Sequence, residues 1–218
     1  MVAADVAGRS GTRLRAVPVA AAGVVALGTM FQMVSADVLA VNFTASDNAY
    51  RIYTDRVVGQ QAAGYLGAQA RSAGDAPAMQ FGFQQADLYG LCAIATDELP
   101  VLGAVSFVLT AGEPVDGAVS DGADGAINTT ALRLATDSLS GTGENIARLT
   151  LGQSADTLDM GGTPFAGPVG GFGLQADVMQ IGGLDASSYG IDLQGDVTLP
   201  NLSIRVVPGA VDKGTCVP

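Results

Sequence analysis

The sequence predicts an all-β protein, an antiparallel sandwich, barrel or solenoid-like domain, and three observations carry that expectation. Alternation with period two runs through "GIDLQGDVTL" (190–199), where Ile191, Leu193, Val197 and Leu199 alternate with Asp192, Gln194, Asp196 and Thr198. That is the pattern of a strand with one buried and one wet face. Gly, Asp, Asn, Ser and Pro cluster at short intervals between such runs, which is turn chemistry. Helix signals are weak: in "RVVGQQAAGYLGAQARSAG" (56–74) the alanines favour a helix, but Gly59, Gly64 and Gly67 each cost about 1 kcal/mol in a helix interior. The segment reads as strand and turn.

In chain order, the first forty residues stand apart. Arg9, Arg13 and Arg15 precede an apolar run from Ala16 to Phe31, followed by "QMVSADVLA" (32–40). A basic start, an apolar helix and small residues before a cleavage point describe a secretory signal peptide. Cleavage fits after Ala36 or Ala40, and Ala40 is favoured because strand-like residues begin directly after it. The alternative is an uncleaved membrane anchor, since ~19 apolar residues nearly span a bilayer. Residues 41–218 then form a single β-rich extracellular domain. Its predicted strands include "LAVNFTAS", "YRIYT", "AVSFVLT", "TTALRLAT" and "ARLTLG". After Pro200-Asn201 the alternation resumes with Leu202, Ile204 and Val206. Two glycine-rich segments, 111–126 and 160–173, are expected as surface loops, the second partly disordered.

A phrase recurs. "FGFQQADLYGLC" (81–92) and "FGLQADVMQIGGL" (172–184) share an aromatic-glycine-apolar-glutamine opening and an Ala-Asp. We read both as strands in equivalent places of one scaffold, with Asp87 and Asp177 facing solvent or turning the chain.

Two cysteines, Cys92 and Cys216, lie more than half the chain apart. An even count in an exported chain reads as one disulfide; closing so long a loop stabilises by about 4–5 kcal/mol in the chain-entropy model. Hydrophobic residues make up 48%, and the 30 glycines raise the apolar share to about 62%, against ~45–50% in ordinary domains. Such scarce polar surface suggests an outside covered by other copies of the chain, by lipid or by a membrane. The formal charge of −11 argues against nucleic acid as a partner.

Catalytic constellations are sparse. The chain contains no histidine, which removes the imidazole base of Ser-His-Asp and Cys-His catalysis. Two cysteines cannot by themselves supply an ordinary zinc site. "ASSYG" (186–190) spells a hydrolase nucleophile elbow around Ser188, but that motif needs a strand, a sharp turn and a helix. Strand-like residues follow here, so a turn between strands is the expectation. Asp116, Asp121 and Asp124 in "DGAVSDGADG" are a weak calcium candidate, spaced more widely than in a calcium loop and without a closing glutamate. No catalytic residue and no cofactor is expected.

Taken together, the leader ending in "VLA", "RVVGQQAAGYLGAQA", the cysteine of "ADLYGLC", "LPVLGAVSFVLTAG", "FGLQADVMQIGGLDASSYGIDLQGDVTLPNLSI" and the final "GTCVP" resemble a family of uncharacterised exported proteins of high-GC Gram-positive bacteria. Its members often carry the label cholesterol esterase. The resemblance implies no catalytic residues to carry over, and the acidic loop around 116–125 is longer here. The functional expectation is an exported cell-surface structural or interaction protein that associates with itself. A lipid-binding protein is the alternative, and an ester hydrolase comes last.

Overall fold

A computed structural model describes residues 41–44, 48–71, 74–117, 124–195 and 197–216; the leader expected over residues 1–40 lies outside them. The described residues belong to the compact unit Ala40–Pro218. They form strands β1 (Val41–Thr44), β2 (Tyr50–Gln69), β3 (Ala76–Tyr89), β4 (Leu91–Leu99), β5 (Gly103–Ala111) and β6 (Ile127–Thr129). The order continues with β7 (Ala131–Ala147), β8 (Thr150–Ser154), β9 (Asp159–Met160), β10 (Thr163–Pro164), β11 (Phe172–Gln194) and β12 (Ser203–Pro208). The fold is antiparallel and sandwich-like, as the alternation predicts.

The larger sheet runs β1-β11-β7-β3-β2-β4-β5-β12, and an added β11–β2 pairing closes β2, β3, β7 and β11 into a ring. β2 is central. It pairs with β11 from Tyr50 to Tyr65 along one side, and with β4 and then β3 along the other. Its glycines and alanines form a strand because both edges are satisfied by neighbours, and tertiary pairing outweighs local propensity.

Bends let such long strands line one core. Val57 and Ala62 both enter the main core although an odd spacing separates them. Between them Gln61 has φ 50°, a left-handed residue that resets the side-chain alternation. Phe81, Phe83, Leu132 and Leu184 fill that core with Ile191 and Leu193.

The repeated phrases both flank β2, but they are not equivalent. Gly64 stands opposite Phe81 of β3 and Leu174 of β11, so the copies are displaced by two residues. Phe81 is buried while Phe172 is exposed. Asp87 does not face solvent: β6 covers it, and the Asn128 amide donates to it at 2.6 Å. Asp177 pairs with Arg148.

Three further expectations need correction. "GIDLQGDVTL" is strand only to Gln194, and Val197 and Leu199 pack on the core from outside any strand. The segment 160–173 is not loose, because Met160 and Phe165 are buried with Ala63, Ala155 and Leu158 in a small core of their own. Gly82 makes room for it, since a Cβ there would stand 2.7 Å from the Met160 sulfur. In β12 the apolar alternation points outward: Ile204 and Val206 are 56% and 70% exposed. The opposite face, including Val207, is the one covered, by Val211 and Cys216 of the C-terminal tail.

Candidate functional site beside the disulfide

The site is built on the three-strand arm β4-β5-β12. Cys92 stands opposite Thr110, and Thr110 opposite Ser203, so these three side chains form one row across one face. The chain then returns over this face as the 3₁₀ turn Lys213–Cys216. Two links hold it there: the disulfide Cys92–Cys216, with Cα atoms 5.7 Å apart, and the Arg205 guanidinium donating to the Thr215 carbonyl at 2.7 Å. The cysteine pairing expected from the sequence is therefore present.

Between tail and arm lies a cavity of about 540 Å³, within the range of small-molecule sites. Leu91, Ala111, Pro114 and the disulfide contribute to its walls, with Thr110, Ser203 and Asn201 among the polar groups. Backbone bonds fix the rim, from Gly112 N–H to the Pro200 carbonyl at 2.7 Å and from Gly90 N–H to the Glu113 carbonyl at 3.0 Å. Two charges line it, Asp55 and Lys213. Asp55 accepts a bond from the Val115 N–H at 3.2 Å, which ties its carboxylate to the loop after β5. Lys213, the only lysine of the chain, lies 5.5 Å from the Tyr53 ring centroid. It makes no ion pair among the described residues.

Ser188 is elsewhere. It lies inside β11, at a shift of register against β7, and not in a turn as its sequence suggests. It is fully buried, with its hydroxyl 2.9 Å from the carbonyls of Ala135 and Gly190. Burial pushes the neighbouring Tyr50 hydroxyl well above its ordinary range, so Tyr50 stays neutral and offers no base. Of the calcium candidates, Asp116 and Asp124 fall in the acidic loop, and Asp121 lies outside the described residues. Among the described residues no three carboxylates or cysteines converge on a metal position.

A polar cluster sits at β7 and β11. Tyr189 donates to Asp137 at 2.8 Å, and Arg71 stacks over the Tyr189 ring at 3.6 Å. Burial works against the Asp137 charge, but bonds from Tyr189, Ser187 and Ser138 outweigh it and hold the carboxyl below the usual range.

Sequence reasoning finds the cysteines and misses the cavity. Its walls come from β4, β5, β12 and the tail, which only the pairing register brings together. Lys213 is the one visible signal, a solitary lysine three residues before the last cysteine.

No curated protein and no solved structure matches the chain. Residues 46–217 match the model of the family of unknown function DUF6230, which takes in the β domain from the approach to β2 through the disulfide-bonded tail and leaves out only β1 among the described strands; the chain belongs to that family.

Proposed function

We propose that this chain is an exported cell-surface protein with a structural or interaction role, which associates with its own copies through the β12 edge. The observation that carries this reading is the outward apolar face at that edge. Leu202, Ile204, Val206 and Phe107 are exposed together, with Val206 directly opposite Phe107. β12 pairs only with β5 among the described residues and ends the sheet, and a terminal strand is a natural template for another. Two copies meeting β12 to β12 would make a self-complementary, two-fold contact. Export is supported by the leader pattern and by the disulfide.

Light scattering of residues 41–218 over a wide concentration range tests this. We expect dimers or larger species that tighten with added salt, because an acidic chain repels itself. Val206→Lys and Ile204→Lys should each give monomers. A monomeric parent at every concentration would sink the reading.

A second reading, extracytoplasmic lipid binding, is supported by the apolar cavity beside the disulfide. Hydrolysis has less behind it: Ser188 is sealed in the sheet and the chain offers no imidazole.

A further inference from the structure

We propose that the cavity between β4, β5, β12 and the disulfide-bonded tail binds a single-chain amphiphile. Its anionic head, a carboxylate or phosphate, would sit at Lys213, with its chain along Leu91, Ala111 and Pro114. This rests on the lipid-binding reading and names its site and ligand class.

The argument begins with the two charges on the cavity wall. Asp55 already receives the Val115 N–H and is packed against the Gly90 turn, where an added Cβ would lie 2.1 Å from its carboxylate oxygen. Its charge is tied to the loop. Lys213 has no such employment: the tail holds it beside the Tyr53 ring with no carboxylate partner among the described residues. An ammonium on a compact flexible stem is a point charge that accepts carboxylate or phosphate alike. The remaining walls are mainly apolar, and the hydroxyls of Thr110 and Ser203 lie among them. One cation at an apolar cavity of this size selects an anionic head on an apolar chain.

The overall acidity of the protein, −11 formally, opposes any anion, so the chain must supply most of the affinity. Burying a methylene is worth ~0.8 kcal/mol, about fourfold in Kd. Affinity should therefore climb with chain length until the cavity is full.

Isothermal titration of residues 41–218 with decanoate, octanoate, decanol, decyl phosphate and acetate tests the site. One decanoate should bind per chain, octanoate roughly fifteenfold more weakly from two fewer methylenes, and acetate not measurably. Decanol should bind several-fold more weakly than decanoate. Lys213→Gln should erase the decanoate–decanol difference and Lys213→Arg restore it. Filling the cavity by Thr110→Trp should abolish binding, and Pro114→Trp on the exposed loop does the same without disturbing the sheet. Whichever of decanoate and decyl phosphate binds tighter names the head group. Decanoate bound equally by Lys213→Gln and Pro114→Trp would overturn the site and leave lipid binding standing elsewhere. If no amphiphile binds the parent, site and lipid reading fall together.

Discussion

Arg56 reaches Glu144 across the backbone of an intervening strand. Arg56 lies on β2 and Glu144 on β7, and β11 runs between them with Gly182 opposite Arg56. The pair is two-pronged, its second arm 3.2 Å long. A Cβ on Gly182 would stand 2.4 Å from the Glu144 carboxylate, so the ion pair explains the glycine. Arg56 is 4% exposed, and a guanidinium buried that deeply needs its partner. Removing one member of a buried pair costs about 3–5 kcal/mol; Glu144 is one-third exposed, which places Glu144→Gln nearer ~2–3 kcal/mol on the same scale. The double replacement Arg56→Met with Glu144→Leu should recover most of that loss, since apolar packing often matches a buried ion pair. Urea unfolding of the parent, Glu144→Gln and the double replacement decides it. Equal destabilisation by the single and the double replacement would show that Arg56 acts through its stem and not its charge.

At the scale of elements, the segment from Ala155 to Gly171 behaves as a folded flap. Phe165 and Met160 anchor it. The Ala155 N–H joins its ends by donating to the Gly171 carbonyl at 2.9 Å, and the Gly170 N–H reaches the Ser154 hydroxyl at 3.0 Å. Asp156 reinforces that closure by accepting from Ser154 and, at 3.2 Å, from the same Gly170 N–H. Those hydrogen bonds, Ser154 first, pull the Asp156 carboxyl below its ordinary 3.8. A depressed carboxyl stabilises when ionised, so its contribution is complete above 3.8 and disappears as the pH falls through the lower, folded-state value. Amide-exchange protection at Gly170 should therefore drop on acidification below about pH 4. In Asp156→Asn it should be low already and flat across that range. Protection that stays high to pH 2 in the parent would mean that packing, the backbone bonds and the Ser154 hydroxyl hold the flap without the carboxylate. This element also shows where the sequence could be read and where it could not. The run at 131–134 alternates because Leu132 and Leu134 enter the main core while Ala131 and Arg133 do not. The runs at 50–54 and 104–110 read as strands from their apolar content but bury both faces, Ile52 and Leu109 in the main core and Tyr53 and Val108 beneath the tail. The flap reads as a loop because its buried side chains follow no period. The reading of β12 misjudges its buried side for another reason: the tail that covers Val207 is remote in sequence until the disulfide brings it over. Ser188 reads as a turn residue because the five letters of "ASSYG" carry no information about the strands on either side of it.

For the whole molecule, the decisive constraint is the link between the last turn and β4. The disulfide spans 124 positions, and its C-terminal end brings Val211 and Cys216 onto Tyr53, Ile94 and Val108. Without it, the tail keeps that small apolar contact, the Lys213–Tyr53 approach, the Arg205–Thr215 bond, and two bonds at Gly209, its N–H to the Ala104 carbonyl and the Ser106 hydroxyl to its carbonyl. The entropy of a long unfolded loop then returns in full. Replacing both cysteines by serine should cost about 4–5 kcal/mol in the chain-entropy model, lowering Tm by roughly 10–15 °C. The loss should not be confined to stability. The roof of the cavity is the tail itself, so Cys92→Ser with Cys216→Ser should weaken decanoate binding at temperatures where the β domain remains folded by circular dichroism. The β12 edge lies on the other face of the arm, where Val206 and Phe107 point away from the tail, so self-association should persist. A Tm change below about 5 °C would mean that loop closure contributes far less than the model requires. Loss of association together with the tail would place the self-contact on the tail face instead of on Ile204 and Val206.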